Sequence, residues 1–181
     1  METAAPMQLK LRPLTPEGFA PYGRLVSGEA VPAGAGGRAV AGSSLAQRPI
    51  NGGTSLRVEA ADGLNLLDEG GEPTLAVFRA QAQAPTGPWR TLERHCLGSQ
   101  TFVPLSGARC VVLVALGAYA PDPGSLAAFL ADGRCGFTLH PGTWHHGLIA
   151  LDAGDFVVLE RRSAQPDCEF AELAQPAWIA A

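Results

Sequence analysis

The stretch Gly136-Phe137-Thr138-Leu139-His140-Pro141-Gly142-Thr143-Trp144-His145-His146-Gly147-Leu148-Ile149-Ala150-Leu151-Asp152-Ala153-Gly154-Asp155-Phe156-Val157-Val158-Leu159-Glu160 decides the fold. Its apolar runs, Gly136 to His140, His146 to Leu151 and Phe156 to Glu160, are short and are separated by Pro-Gly and Ala-Gly turns. Runs of this length and spacing read as strands, because a buried helix needs a longer segment. Upstream, Arg109 to Leu116 is a continuous apolar run, the pattern of a strand buried on both faces. Ser55-Leu56-Arg57-Val58-Glu59 alternates, and Leu75-Ala76-Val77-Phe78-Arg79-Ala80 does so more weakly, as half-buried strands do.

Two helices are expected among these strands. Thr15-Pro16-Glu17 reads as a helix entry, with Thr15 as N-cap and Pro16 in the first turn, running to about Pro21-Tyr22-Gly23. Gly124 to Ala131 reads as a second helix, capped by Ser125, with Leu126, Phe129 and Leu130 on one face. Residues 1–6 read as a loose terminus, and Gly28 to Gly42, rich in Ala, Gly and Pro, as an arm or loop. The expectation is one domain over residues 1–181, all-β with minor helices, its strands antiparallel. A jelly roll or closed barrel removes the edges of such a sheet.

Composition narrows the partners. The chain has 181 residues, 22 Gly and 15 Pro, with 46% hydrophobic residues and a net charge of −4. The apolar share is that of a globular protein, and the excess of turn formers fits many short elements. With no basic run, nucleic acid is not an expected partner, since affinity for it comes mainly from Lys and Arg on phosphates. The longest apolar run is too short to span a bilayer, so no membrane partner is expected. Cys96, Cys110, Cys135 and Cys168 form no CxxC pair, and residues 1–20 do not read as a secretory leader. A cytoplasmic protein with reduced thiols is expected.

All four histidines fall in two short segments. One is Leu92-Glu93-Arg94-His95-Cys96-Leu97-Gly98-Ser99-Gln100; the other holds His140, His145 and His146. Histidine is both a common metal ligand and the usual proton carrier near neutral pH, so its concentration at two places points to an assembled site. On a strand, Glu93 and His95 share a face. Consecutive His145 and His146 face opposite ways unless a bulge, which Gly147 would allow, shifts the register.

The spacing Glu93-x-His95, then Gln100, then Gly107, followed by Gly142-x-x-His145, resembles the two motifs of the cupin superfamily. The chain departs from it in having Glu, His and Gln where His, His and Glu are usual, and His140 where Pro is usual. The resemblance implies a cupin-type β-barrel with Glu93, His95, Gln100 and His145 as ligands of a divalent metal ion such as Ni, Mn or Zn.

Over Leu9 to Leu173 the chain more closely resembles the ureidoglycolate lyase family. The resemblance is carried by Ile50-Asn51-Gly52-Gly53-Thr54, Phe78-Arg79-Ala80, Leu92-Glu93-Arg94-His95 with Gly98-Ser99-Gln100-Thr101-Phe102-Val103-Pro104, Trp144-His145-His146, Asp155-Phe156 and Asp167-Cys168. It implies a homodimeric enzyme that releases urea and glyoxylate from ureidoglycolate in allantoin breakdown. For such a small anionic substrate, Glu93, His95 and His145 are the expected catalytic groups. Arg79 is the expected carboxylate clamp, with the alternative of an ordinary strand arginine paired to an acid. Asn51, Thr54 and Gln100 are further candidates for substrate binding. Another cupin enzyme on a small polar acid, an isomerase or dioxygenase, and a non-catalytic binding module are the competing readings.

Overall fold

The computed structural model describes residues 7–27, 47–60 and 63–180. The N-terminal six residues and the expected arm from Gly28 to Gly42 lie outside them. The described strands are β1 (Met7–Pro13), β2 (Gly23–Val26), β3 (Gln47–Ile50), β4 (Ser55–Val58), β5 (Glu72–Ala80), β6 (Trp89–His95) and β7 (Gln100–Pro104). They continue with β8 (Cys110–Ala115), β9 (Ala127–Ala131), β10 (Gly136–Leu139), β11 (Trp144–His145), β12 (Ile149–Ala150), β13 (Gly154–Arg162) and β14 (Cys168–Ala180). One short helix, α1 (Pro16–Phe19), and three 3-10 turns complete them. The all-β, jelly-roll class expected from the turn-punctuated runs is the one observed.

Two layers organise the strands. In the larger sheet, β11 pairs with both β6 and β8, so β6, β14, β1, β9, β8 and β11 form a closed ring. The second sheet runs β2-β10-β7-β13-β5, and β3 with β4 makes a separate hairpin. Side-chain alternation then builds two cores from one set of strands. Leu92, Leu113, Ala128, Trp144 and Ile179, from five different strands of the ring, pack with one another and fill its interior. Their alternates Val112, Val114 and Phe129 face outward and pack on Phe102, Phe137 and Phe156 of the second sheet. The run from Cys110 to Ala115 is buried at every position because it serves both cores.

Segment Ala127–Ala131 corrects the second expected helix. Asp122 caps a 3-10 turn at Pro123–Ser125 by accepting from the Gly124 N–H, and the chain then extends as β9. Its backbone is paired on both sides, antiparallel to β8 and parallel to β1. Phe129 enters one core and Ala128 the other, so apolar residues are needed on both faces. A continuous apolar run of this kind has no period, and the helical spacing of Leu126, Phe129 and Leu130 is a by-product of it. The first helix begins as expected: Thr15 Oγ1 accepts from Gly18 N at 3.2 Å. It ends at Phe19, short of the expected reach, and places that ring edge-on against Phe129, 5.5 Å between centroids.

Phe129 is 1% exposed and joins β9 to both α1 and the second sheet. Phe129→Ala is expected to cost about 3–5 kcal/mol of stability, the range for emptying a buried aromatic position. Leu75→Ala, at a position 71% exposed, is expected to change it by less than about 0.5 kcal/mol. Denaturant melts of the two variants measure the difference.

Candidate functional site

The parity that builds the two cores also builds a polar cluster between the layers. Leu92 points into the ring, so Glu93 and His95 point out of it toward the second sheet. Trp144 is buried in the ring under the Arg94 guanidinium, 4.4 Å from the ring centroid, so its neighbour His145 also points outward. β6 and β11 are adjacent, with His145 directly opposite Glu93. From the other layer, Gln100 follows the inward parity of Phe102. Glu160 follows that of Phe156 and Val158.

Glu93, His95 and His145 each offer a ligand atom within 4.8 Å of the others. His145, 3% exposed, is the member of the adjacent pair that joins the cluster. β11 ends at His145, and the chain leaves the sheet through His146 and Gly147 before β12. His146 packs on Trp89, 4.5 Å between ring centroids.

Hydrogen bonding sets the character of the cluster. His145 Nδ1 lies 2.9 Å from the Thr143 carbonyl, and His95 Nδ1 lies 3.2 Å from the Asp167 carbonyl. A carbonyl only accepts, so in each ring Nδ1 carries a proton, and in the neutral imidazole Nε2 is then a bare lone pair. Gln100 gives its Nε2 hydrogen to Glu160 Oε2 at 2.7 Å, and both residues line a small cavity with His95. Among the described residues, four buried side-chain N or O atoms have no partner, and three of them are His95 Nε2, His145 Nε2 and Gln100 Oε1. Together with the Glu93 carboxylate they offer acceptors and no donor.

An acceptor-only, partly anionic cluster fits a cation. Glu93 Oε1 and His145 Nε2 stand 3.6 Å apart, beyond hydrogen-bond length. Two ligands that each sit about 2.0–2.2 Å from a shared ion are separated by a comparable distance. The Nδ1–H to carbonyl bonds are those that orient histidine ligands in metal sites. Burial holds the His145 imidazole neutral, pulling its pKa down to about 4, with the Thr143 carbonyl and the Glu93 charge only partly offsetting it. Neutral imidazole is the ligand form.

Three residues that the sequence reading left without a role complete the surroundings. Cys168 is the register partner of His95, and its Sγ is 3.6 Å from Glu93 Oε2. Burial and then the Glu93 charge push its thiol up to about 11, so it stays S–H. Asp167 accepts from Cys96 N and Leu97 N at 3.0 and 2.7 Å, holding the turn after His95 while its main-chain oxygen holds the ring. Glu160 is the third. Its signal in the sequence is an acid on the inward parity of an apolar strand.

The other expected substrate contacts are placed elsewhere. Arg79, on β5, has a side chain 81% exposed and forks onto Asp155 with bonds of 3.1 and 3.4 Å. It borders an open groove with Phe78, Gln83 and Leu148. Asn51 and Thr54 lie in the exposed turn of the separate β3–β4 hairpin, where the Thr54 hydroxyl donates to the Asn51 carbonyl at 2.9 Å. Ser99 exchanges bonds with the Asn65 backbone and is a turn residue.

A two-layer β fold with a histidine–carboxylate cluster between the layers defines the general class. The comparisons with known proteins are more specific. The family model described as ureidoglycolate lyase matches residues 6–180. The chain is 38% identical to a Burkholderia cepacia protein named ureidoglycolate lyase, across 89% of this chain and 84% of that one. It is 34% identical to a Burkholderia mallei protein of the same name, across 94% and 92%. With an Azotobacter vinelandii protein of that name it shares 35% identity, across 89% of each. The chain belongs to the ureidoglycolate lyase family.

Two predictions follow from the cluster geometry. After equilibration with Ni, Mn or Zn and desalting, His145→Ala is expected to lose bound metal in elemental analysis while His146→Ala retains it; the reverse pattern would put the register one residue off. The lowered His145 pKa also has a stability consequence. Its burial is favourable above the unfolded value of 6.5 and becomes a penalty as pH falls toward about 4, because the unfolded chain takes the proton first. Melting temperatures of metal-free protein between pH 7 and 4 are expected to fall more steeply for the wild type than for His145→Gln.

Proposed function

We propose that this protein is a ureidoglycolate lyase that releases urea and glyoxylate, assisted by a divalent metal ion. The single observation that carries the activity is the family match over residues 6–180. The metal part is supported by the orphaned Nε2 atoms of His95 and His145 beside Glu93, and by the orphaned Oε1 of Gln100, which lines a small cavity with His95. The reading includes a cytoplasmic homodimer working in allantoin breakdown on a small anionic substrate. Among the described residues, no helix is long and apolar enough to cross a membrane.

The reaction turns a carbinol-amide into an aldehyde. The substrate hydroxyl loses its proton, the C–O bond becomes a carbonyl, the C–N bond breaks, and the departing urea nitrogen takes up a proton. His95 Nε2, His145 Nε2, Gln100 Oε1 and Glu93 would hold the ion. When bound, it supplies positive charge that receives the substrate carboxylate and hydroxyl and lowers the hydroxyl pKa. Glu93, the carboxylate of the cluster, carries the proton from hydroxyl to leaving nitrogen. His145, kept neutral by burial, and His95 are both fixed through Nδ1, so that their Nε2 atoms stay in place throughout. The turn clamped by Asp167 fixes the orientation of His95, which is where much of the catalytic gain from positioning arises.

On this reading an ion held there would take the substrate carboxylate, in place of an arginine. The Arg79 fork is engaged by Asp155 and solvated, which supports the paired-arginine reading of that residue. Arg79→Lys is therefore expected to leave kcat/KM within about fivefold of the wild type, matching the small worth of an exposed ion pair. A loss corresponding to about 1.5–3 kcal/mol would instead restore Arg79 as a carboxylate clamp.

The direct test is glyoxylate release from ureidoglycolate by purified protein. Activity is expected to vanish after chelation and to return with one divalent ion. Activity in protein proven metal-free would remove the ion from the reaction, and no activity with any metal would remove the assignment.

A further inference from the structure

Glu160 has no role in the reaction steps above, yet it is the partner of the one amide ligand in the proposed set. It lies on β13, opposite Thr74 on β5, and its Oε2 takes the Nε2 hydrogen of Gln100 at 2.7 Å. Gln100 is 6% exposed, and its Oε1 has no partner.

We propose that Glu160 is a positioning residue that fixes which end of the Gln100 amide faces the cation; the proposal rests on the metal reading above. A primary amide has two ends of nearly equal shape and opposite hydrogen-bonding sense. Rotation about its terminal torsion is soft and roughly two-fold, so a glutamine without a partner samples both ends. Beside a cation the two are not equivalent. Oxygen binds the ion, whereas an NH2 group directs positive charge at it. An ionised carboxylate only accepts, so Glu160 pairs with the NH2 end and turns the oxygen to the cluster. The bond is charge-assisted and about twice as strong as a neutral one. It also draws electron density toward the amide oxygen, improving the ligand. Only an acceptor-only carboxylate gives this selection: an amide at position 160 pairs equally well either way round, and an apolar residue does not select.

Chelator-treated protein titrated with Co(II), followed by visible absorption, tests the proposal without relying on turnover. Glu160→Leu is expected to weaken Co(II) binding about 10–100-fold, the range for losing a partner behind a metal ligand. Glu160→Gln is expected to fall between that variant and the wild type. The deciding arm is a double-mutant cycle. If Glu160 acts through Gln100, adding Glu160→Leu to Gln100→Ala weakens binding no further. Wild-type affinity and spectrum in Glu160→Leu would overturn the proposal and leave the metal reading standing. So would a further loss in the Gln100→Ala background, which would make Glu160 an independent electrostatic contributor. No Co(II) binding by the wild type would overturn the metal reading, and this proposal with it.

Discussion

The site depends on where two imidazole protons are held. His95 and His145 each donate Nδ1–H to a main-chain carbonyl, of Asp167 and of Thr143. Each Nε2 is thereby left as a buried lone pair, and an unpaired buried acceptor is costly. The cluster compounds the cost by adding a carboxylate and an amide oxygen with the same hydrogen-bonding sense. Among the described residues the Cys168 thiol donates to Glu93 Oε2, and the two Nε2 atoms and Gln100 Oε1 have no partner. Acceptors of one hydrogen-bonding sense, gathered in one place, match the chemistry of a cation site.

The fold makes that concentration possible by keeping the acceptors on separate scaffolds. Glu93, His95 and His145 stand on the outer face of the ring, whose far side is packed with Leu92, Leu113 and Trp144. Gln100 and Glu160 stand on the opposing sheet. Each polar residue is thus the alternate of a core residue, and its direction is set by the packing of its neighbour. Arg94 on β6, stacked on Trp144 of β11 and paired with Glu169 of β14 at 2.6 Å, ties these three strands of the ring together. A site built on strands in this way is held more firmly than one built on loops.

Much of this was legible in the sequence, for physical reasons that differ by element. Turn-bounded apolar runs announced β8, β10 and β13, because strand length and turn residues are local properties. Glu93, His95 and His145 were legible through strand parity and through the resemblance in their spacing. Ala127–Ala131 was misread because an apolar run serving two cores carries no period. β1 and β14 went unread because what makes them strands is mutual parallel pairing between the chain ends, which is not a local property. Glu160 went unread for the same reason, since its partner lies 60 residues away on another strand. Arg79 shows the converse. Its strand was legible, but its outward direction and its pairing with Asp155 were set by the register of β5 on β13.

Anomalous diffraction tests most directly whether a divalent ion binds between the two imidazole Nε2 atoms. Crystals grown with Ni, Mn or Zn and measured at the corresponding absorption edge are predicted to show one strong peak within ligand distance, about 2.0–2.2 Å, of His95 Nε2 and His145 Nε2. Saturating metal with no peak at that point, or with a peak ligated by neither histidine, would contradict the account.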